Sequence, residues 1–577
     1  MKKLICWIAL LSLLLAPALA EGGAEHAIEE RTMDFYFFDP DTVVPRSVYF
    51  IDGSDVPCLA LSDWPDIMAK MEENPDALVV TIPEFGYSMT ENVGILTRED
   101  GYSASFDCDA DVIGFLDYNA FIRARSDDLL LDMLDNAARP GPEGSVHFFH
   151  RDESSYERYG KEVNIDAGAY GIDFIAAGGE CYVPMQTLSD VILSHYYLSF
   201  LYNGEAVFIV PYGSFGGISG LTPFSEKYYS AKPHERSETL ARFAYAELCM
   251  AMDTFYGLKK SHDIESFDAL ADETGLKPAL TGTDPVQADA ALFQLLMHHL
   301  DDLHTSYLLP SALSGSGASE HFMDDLGLGN SVENMRSQNE RYLDARDKAY
   351  PDGVPAYEEI GNTAFITLDR FGGSTGGVDY YETPPTAEAT DTKGIIIYAY
   401  SQIARENSPI ENVVLDVSCN MGGQSTSAVY TLGAFLGAAS ISAKDTLTGA
   451  MVTGNYEIDI NLDGKIDEED KVLLDKNLFC LESPVSFSCA NLVTCAFKSS
   501  NRVSLLGRAS GGGACIVYPF STADGSYFQT SGNVQLSFLK NGSFYDNDQG
   551  AEPDFPLTKL ESFYDRQALA EYINEIR

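Results

Sequence analysis

From Asn362 to the C-terminus the chain alternates two kinds of apolar segment. "TAFITL" and "NVVLDV" are short and rich in β-branched residues, the pattern of buried strands. "GIIIYAYSQIARE" and "STSAVYTLGAFLGA" follow them with apolar residues at helical spacing. Such alternation predicts an α/β core. Ahead of it, "SETLARFAYAELCMAMDTFYGLK" and "DAALFQLLMHHLDDLH" read as amphipathic helices. Residues 34–225 differ again. Short β-like runs ("SVYFI", "ALVVTIP", "YGIDFIAA", "EAVFIVPYG") are separated there by Gly, Asp and Asn turns. At 577 residues the chain is too long for one core. The expected division is 21–225 as an N-terminal α+β accessory domain, 226–310 as a helical segment, and 311–577 as the α/β core.

One internal echo lies in the N-terminal part. "VPCLALSDW" (Val56 to Trp64) and "VPMQTLSDV" (Val183 to Val191) agree at Val, Pro, Leu, Ser and Asp. Two copies predict a duplicated hairpin-plus-helix unit, since a solenoid needs at least three. The region weakly resembles the copper-amine-oxidase-like modules of exported proteins, which implies an accessory binding role.

The first twenty residues form a basic start (Lys2, Lys3), an apolar run from Leu4 to Leu15 and a small-residue cleavage site at Ala18-Leu19-Ala20. This is the pattern of an export leader, and the run is short for a membrane span. The expected location is therefore the secreted or cell-envelope exterior. A formal net charge of −50 repels nucleic acid and anionic membranes, which removes both as expected partners. Nine cysteines follow the leader, an odd number, and no CxxC pair occurs among them, so a zinc ribbon or a thioredoxin-type site is not supported.

Two stretches carry candidate chemistry. In "NVVLDVSCNMGGQSTSAVYTLGAFLG" a strand runs through a glycine turn, Asn420 to Gly423, into a helix. Free amides at such a turn can hold an oxyanion. In "PVSFSCANLVTCAFKSSNRVSLLGRASGGGAC" Ser488 is expected to end a strand, with a helix from Ala490 to near Lys498. A serine at a strand-to-helix turn is exposed and close to a helix N-terminus, as a nucleophile must be.

Taken together, "LDVSCNMGG", "FSCAN", "RVSLLG" and "GAEPD" resemble the tail-specific, or C-terminal processing, serine protease family and its tricorn-like branch. The likeness begins near residue 230. It implies Ser488, not Ser486, as nucleophile, and oxyanion donors at Gly422, Gly423 and the Cys489 amide. The lysine base of many members would fall on Gly513, and Lys498 is a poor substitute. The tricorn-like branch uses a histidine instead, and "DDLHT" points to His304, with His298 and His299 left as structural residues. The orienting acid falls near Asn547, so Asp546 or Asp548 is implied, with Glu552 next. The implied activity is endoproteolysis of unfolded or exposed polypeptide through an acyl-enzyme. The missing lysine keeps a second reading open, that of a catalytically inactive, protease-like binding protein. Residues 311–361 are too few for the PDZ domain that many relatives carry.

An insertion at 455–475 contains "DINLDGKIDEED". Asp459, Asn461, Asp463, Asp467 and Asp470, with the Lys465 carbonyl, fall at calcium-loop positions, and Gly464 stands at the sharp turn. A structural Ca2+ is the expected cofactor, and a solvated acidic turn is the competing reading.

Overall fold

The computed structural model describes residues 26–78, 80–123, 149–158, 160–217, 220–372 and 379–577; the expected export leader lies outside them. The α/β core is present as read. Its sheet runs in the order Tyr357–Ile360, Thr363–Thr367, Asn412–Asp416, Asn477–Glu482, Val503–Gly507, Phe555–Pro556. All neighbours from Thr363–Thr367 onward are parallel. Thr363–Thr367 and Asn412–Asp416 are wholly buried, and the next two strands nearly so, because helices cover both faces. Val413, Leu415, Leu478 and Cys480 pack against the helices Thr392–Ile403, Ser425–Leu436 and Cys489–Ser500. Alternate residues Val414, Phe479 and Leu481 face Tyr342 of the helix Asn330–Ala349 and Leu569 and Ile573 of the C-terminal helix Arg566–Ile576. The charged stretch before the core is thus a twenty-residue helix.

Parallel register puts all the C-terminal strand ends at one edge of the sheet. Thr367 lies beside Asp416, Asp416 beside Leu481, and Glu482 beside Gly507. The turns after these strands therefore meet at one place, where α/β sheets commonly bind ligands.

The N-terminal region forms a seven-stranded sheet and a five-stranded antiparallel sheet. The two echoed segments are neighbours. Cys58–Ala60 pairs antiparallel with Glu180–Pro184, Leu59 opposite Val183, and each leads into a helix, Trp64–Glu72 and Met185–Val191. One expected strand is absent among the described residues. The described part of "ALVVTIP" is a short 3-10 turn and irregular chain, with Ile82 buried. Apolar, β-branched composition makes a strand only where a partner edge is free.

The composition changes near residue 225, but the apolar core does not break there. One cluster runs from Phe35 through Leu248 and Leu296 to Phe528. A fourth sheet, built on Tyr527–Ser537 and Met451–Ile458, takes its edge strand Phe149–Arg158 from the N-terminal region. Buried polar bonds cross as well, including Asn119 to Asp445 (2.6 Å) and Gln186 to the Ser521 carbonyl (2.7 Å).

Candidate active site

The strand Asn477–Glu482 stops six residues short of Ser488, so Ser488 does not end a strand. A turn intervenes, closed by its own serines. Ser483 Oγ donates to the Ser418 carbonyl (2.6 Å) and Ser486 Oγ to the Val417 carbonyl (2.7 Å). Phe487 N–H donates to the Asn420 carbonyl (3.2 Å) and Ser488 N–H to the Gly512 carbonyl (2.8 Å). Ser486 is fully buried and its hydroxyl is committed; Ser488 is partly exposed. Ser488 has φ 55° and ψ −121° and begins the helix Cys489–Ser500. A left-handed serine costs on the order of 1–3 kcal/mol and persists only where its surroundings over-determine it.

Across from it lies the glycine turn. Gly422 and Gly423 have φ 102° and 132°. A Cβ on Gly422 would stand 2.7 Å from Ser488 Cβ and 2.9 Å from the Phe487 carbonyl oxygen, so only glycine permits this approach. The Gly422 amide is not available to a substrate, because it donates to Asn420 Oδ1 (2.8 Å). Gly423 differs. Phe371 N–H donates to the Gly422 carbonyl and Gln424 N–H to the Phe371 carbonyl, so the Gly423 N–H and C=O face the opposite edge. On that edge the Gly423 carbonyl accepts from Cys489 Sγ (3.1 Å). Among the described residues the Cys489 amide, in the first helical turn, has no acceptor, whereas the Gly423 amide is turned toward the Cys489 sulfur, a weak acceptor. The free donor beside Ser488 is therefore the Cys489 amide, with the Gly423 amide on the same edge held only by a sulfur and Gly422 serving as the close-packed glycine. Burial pushes the Cys489 thiol up to about 12, so it stays protonated at neutral pH and does not compete as a nucleophile.

His304 follows the helical stretch Leu295–Leu300 through Asp301, whose φ is 45°. Asp301 accepts from the Ser331 amide (2.8 Å). Asp302 accepts from the His304 amide (3.0 Å) and from Thr305 Oγ1 (2.7 Å). On the far side, the His304 carbonyl accepts from Gln529 Nε2 (2.8 Å). The buried imidazole packs on Phe487, with ring centroids 4.6 Å apart, and Nδ1 has no hydrogen-bond partner. No hydrogen bond joins His304 to Ser488. Burial lowers the His304 pKa from its ordinary value, while Asp302 and Asp548 both act to raise it.

This separates the implied acids. Asp548 is half-buried, its charge acts on His304, and Oδ1 accepts from the Ala514 amide (3.0 Å). Asp546 is exposed and accepts from the Asp548 amide (3.1 Å). Asn547 is buried, with its carbonyl accepting from Asn491. Glu552 is exposed, and its charge acts on Glu482 rather than on His304. Asp302, the second carboxylate acting on His304, was not singled out from the sequence, although it lies two residues from the histidine.

The lysine question also has a structural answer. A Cβ on Gly513 would stand 2.5 Å from the Phe487 ring, so no side chain fits there. Lys498 pairs with Asp554, about 15 Å along the helix from Ser488 at 1.5 Å per residue. His298 donates through Nε2 to the Gly327 carbonyl (3.2 Å), and neither it nor His299 contacts the serine turn.

The loop Asp459–Asp470 is folded as a tight turn. Asp459 Oδ2 accepts from the Gly464 amide (2.7 Å), Gly464 has φ 81°, and Asp470 accepts from the Ile460 and Asp467 amides (2.9 Å each). Asp463 and Asp467 accept from Lys465 and Glu469. The donors are all oxygen, the chemistry of a hard cation. Among the described residues no three acidic, histidine or cysteine side chains converge as a formed metal site. The residues fit calcium in type and order, and loading would exchange backbone amide partners for the ion.

Residues 362–557 match the family model for peptidase family S41. This segment is similar to that family. The S41 match contains the glycine turn, the Ser488 turn and Asp548, while His304 lies ahead of it. No curated protein matches the chain. Among solved structures, the photosystem II D1 C-terminal processing protease matches at 17% identity and TM-score 0.25, over 35% of this chain and 45% of its own. A putative peptidase from Parabacteroides merdae matches at 13% and 0.41, over 58% and 97%. Mature CPAF matches at 11% and 0.35, over 58% and 96%. The chain thus spans less than half of the first of these.

Proposed function

We propose that the protein is an exported serine endopeptidase acting on unfolded or exposed polypeptide. One observation carries this reading: within a segment that matches the S41 family model, a partly exposed, left-handed Ser488 adjoins the free Cys489 amide, with the Gly423 amide turned toward the Cys489 sulfur beside it. His304 takes the Ser488 hydroxyl proton as Oγ attacks the substrate carbonyl carbon. The oxyanion is held by the two amides. His304 then protonates the leaving amine, and water releases the acyl group by the same steps in reverse. Burial keeps His304 neutral and able to accept a proton, and Asp548 steadies the imidazolium that forms. The serine–histidine hydrogen bond forms with substrate present, since such bonds are often long in free enzymes.

The calcium loop belongs to the same proposal as a structural element. Asp459, Asn461, Asp463, Asp467, Asp470 and the Lys465 carbonyl would hold the ion, which supplies cross-linking and no chemistry. The N-terminal sheets are proposed as an accessory binding region. Among the described residues no helix is long and apolar enough to cross a membrane.

The absent serine–histidine bond favours the second reading, a protease-like binding protein. Digestion of an unfolded protein such as reduced casein separates the two. Peptide release by the native chain and none by Ser488→Ala supports the peptidase. Intact substrate that co-elutes with both proteins supports the binder.

A further inference from the structure

The sequence leaves the pairing of nine cysteines open, but their placement does not. Seven are sealed singly within the fold. Cys58, Cys249, Cys419, Cys480, Cys489, Cys495 and Cys515 are all buried, and no two of their sulfurs are in contact among the described residues. Cys108 and Cys181 stand apart from this pattern, their sulfurs 3.2 Å from each other. They belong to different sheets. Cys108 follows the strand Ser103–Asp107 of the five-stranded sheet, held there by its amide donating to the Asn92 carbonyl (3.0 Å). Cys181 lies in Glu180–Pro184 of the seven-stranded sheet.

The sheets are pressed together at this point. A Cβ on Gly94, in the strand Val93–Arg98, would stand 2.7 Å from Cys181 Cβ and 2.8 Å from Leu61 Cδ1. The glycine lets one sheet lie directly over the other cysteine. A disulfide requires sulfurs about 2.05 Å apart, so closing the pair needs roughly 1.2 Å of relative movement, within reach of side-chain rotation.

We propose that Cys108 and Cys181 are a disulfide-forming pair that staples the two N-terminal sheets together. The co-reactant is a small-molecule or protein disulfide. Cys108 is the more exposed of the two, and its thiolate attacks the oxidant, releasing one thiol and leaving a mixed disulfide. Cys181 then loses its proton, attacks the Cys108 sulfur and expels the second thiol. Two protein thiols are oxidised and one external disulfide is reduced to two thiols. The neighbouring Cys108 sulfur and burial hold the Cys181 thiol well above its ordinary value, which makes Cys108 the entry point. The closed loop contains the strand Phe149–Arg158, which pairs with Met451–Ile458 next to the calcium loop. The staple therefore limits the unfolded freedom of a segment that bridges the N-terminal region and the S41 segment.

The test needs neither export nor peptidase activity. The full chain, made reduced, is incubated with oxidised glutathione, blocked with N-ethylmaleimide, and mapped by peptide mass without reduction. The expected result is one linked peptide pair joining Cys108 to Cys181, two fewer free thiols, and a melting temperature raised by several degrees. Cys108→Ser, a change at a partly exposed position, should lose both the link and the thermal gain. The idea is overturned if both cysteines carry maleimide or glutathione singly, or if either links to another cysteine.

Discussion

The two halves of the proposed catalytic pair are held in different ways. The Ser488 turn is fixed by directional bonds: Ser483 and Ser486 hydroxyls to the Ser418 and Val417 carbonyls just after Asn412–Asp416, Phe487 to Asn420, and Ser488 to Gly512. The His304 backbone is pinned by Asp302 and Gln529, but its ring is held by packing on Phe487 and by two nearby carboxylates, with Nδ1 unpaired. A preset oxyanion site needs rigidity, because its donors must already point where charge develops. A base must accept and return a proton, and a ring held by packing can turn toward the serine when substrate arrives.

Removing the rigid half should have the largest effect. Ser488→Ala should lower kcat by about 10⁴-fold or more with an unchanged melting temperature, as read by casein digestion and calorimetry. Gly422→Ala attacks the same half by overlap. Its Cβ would lie 2.7 Å from Ser488 Cβ, and a loss of about 10²–10³ in kcat is expected, the size seen when an oxyanion donor is displaced. Retained activity would mean that the serine turn tolerates movement and that the contrast between the halves is false.

The softer half should respond in its pH profile. Burial lowers the His304 pKa, and activity requires the neutral ring, so the acid limb should have its midpoint below the ordinary histidine value of ~6.5. Asp548 raises that pKa. Asp548→Asn should therefore move the limb to still lower pH while reducing kcat by about 10-fold or more. A limb that stays in place would remove Asp548 as the orienting acid and turn attention to Asp302.

The calcium loop should give the smallest effect, on stability alone. At ten times Kd, an ion bound only by the folded state adds about 1.4 kcal/mol. Chelation should lower the melting temperature by a few degrees, and Asp459→Ala with Asp463→Ala should make the chain insensitive to added calcium. Equal melting temperatures with and without chelator would leave "DINLDGKIDEED" as an acidic turn.

The legible parts of this molecule were those whose cause is local. Buried β-branched runs and helical spacing gave the core strands at Thr363–Thr367 and Asn412–Asp416 and the helices after them. The glycine turn was weak evidence alone, since many α/β turns look alike, and became legible only in order with the Ser488 stretch that follows it. What was missed depends on distant partners. Ser488 was read at a strand end, but the strand stops at Glu482 because Ser483 and Ser486 bond to Ser418 and Val417, some 65 residues away. The Gly422 amide was read as a donor, yet Asn420 takes it. The choice of Asp548 over Asp546 rests on which neighbour faces a histidine more than two hundred residues earlier, and spacing alone carries no information about that.

The central claim is that Ser488 is an activated nucleophile driven by His304. Fluorophosphonate labelling of the folded, calcium-loaded chain, read by peptide mass, tests it most directly. Label should appear on Ser488 in the native protein, fall by orders of magnitude in His304→Ala, and vanish in Ser488→Ala. No label on Ser488 in folded native protein, or equal labelling of native and His304→Ala, would contradict the claim.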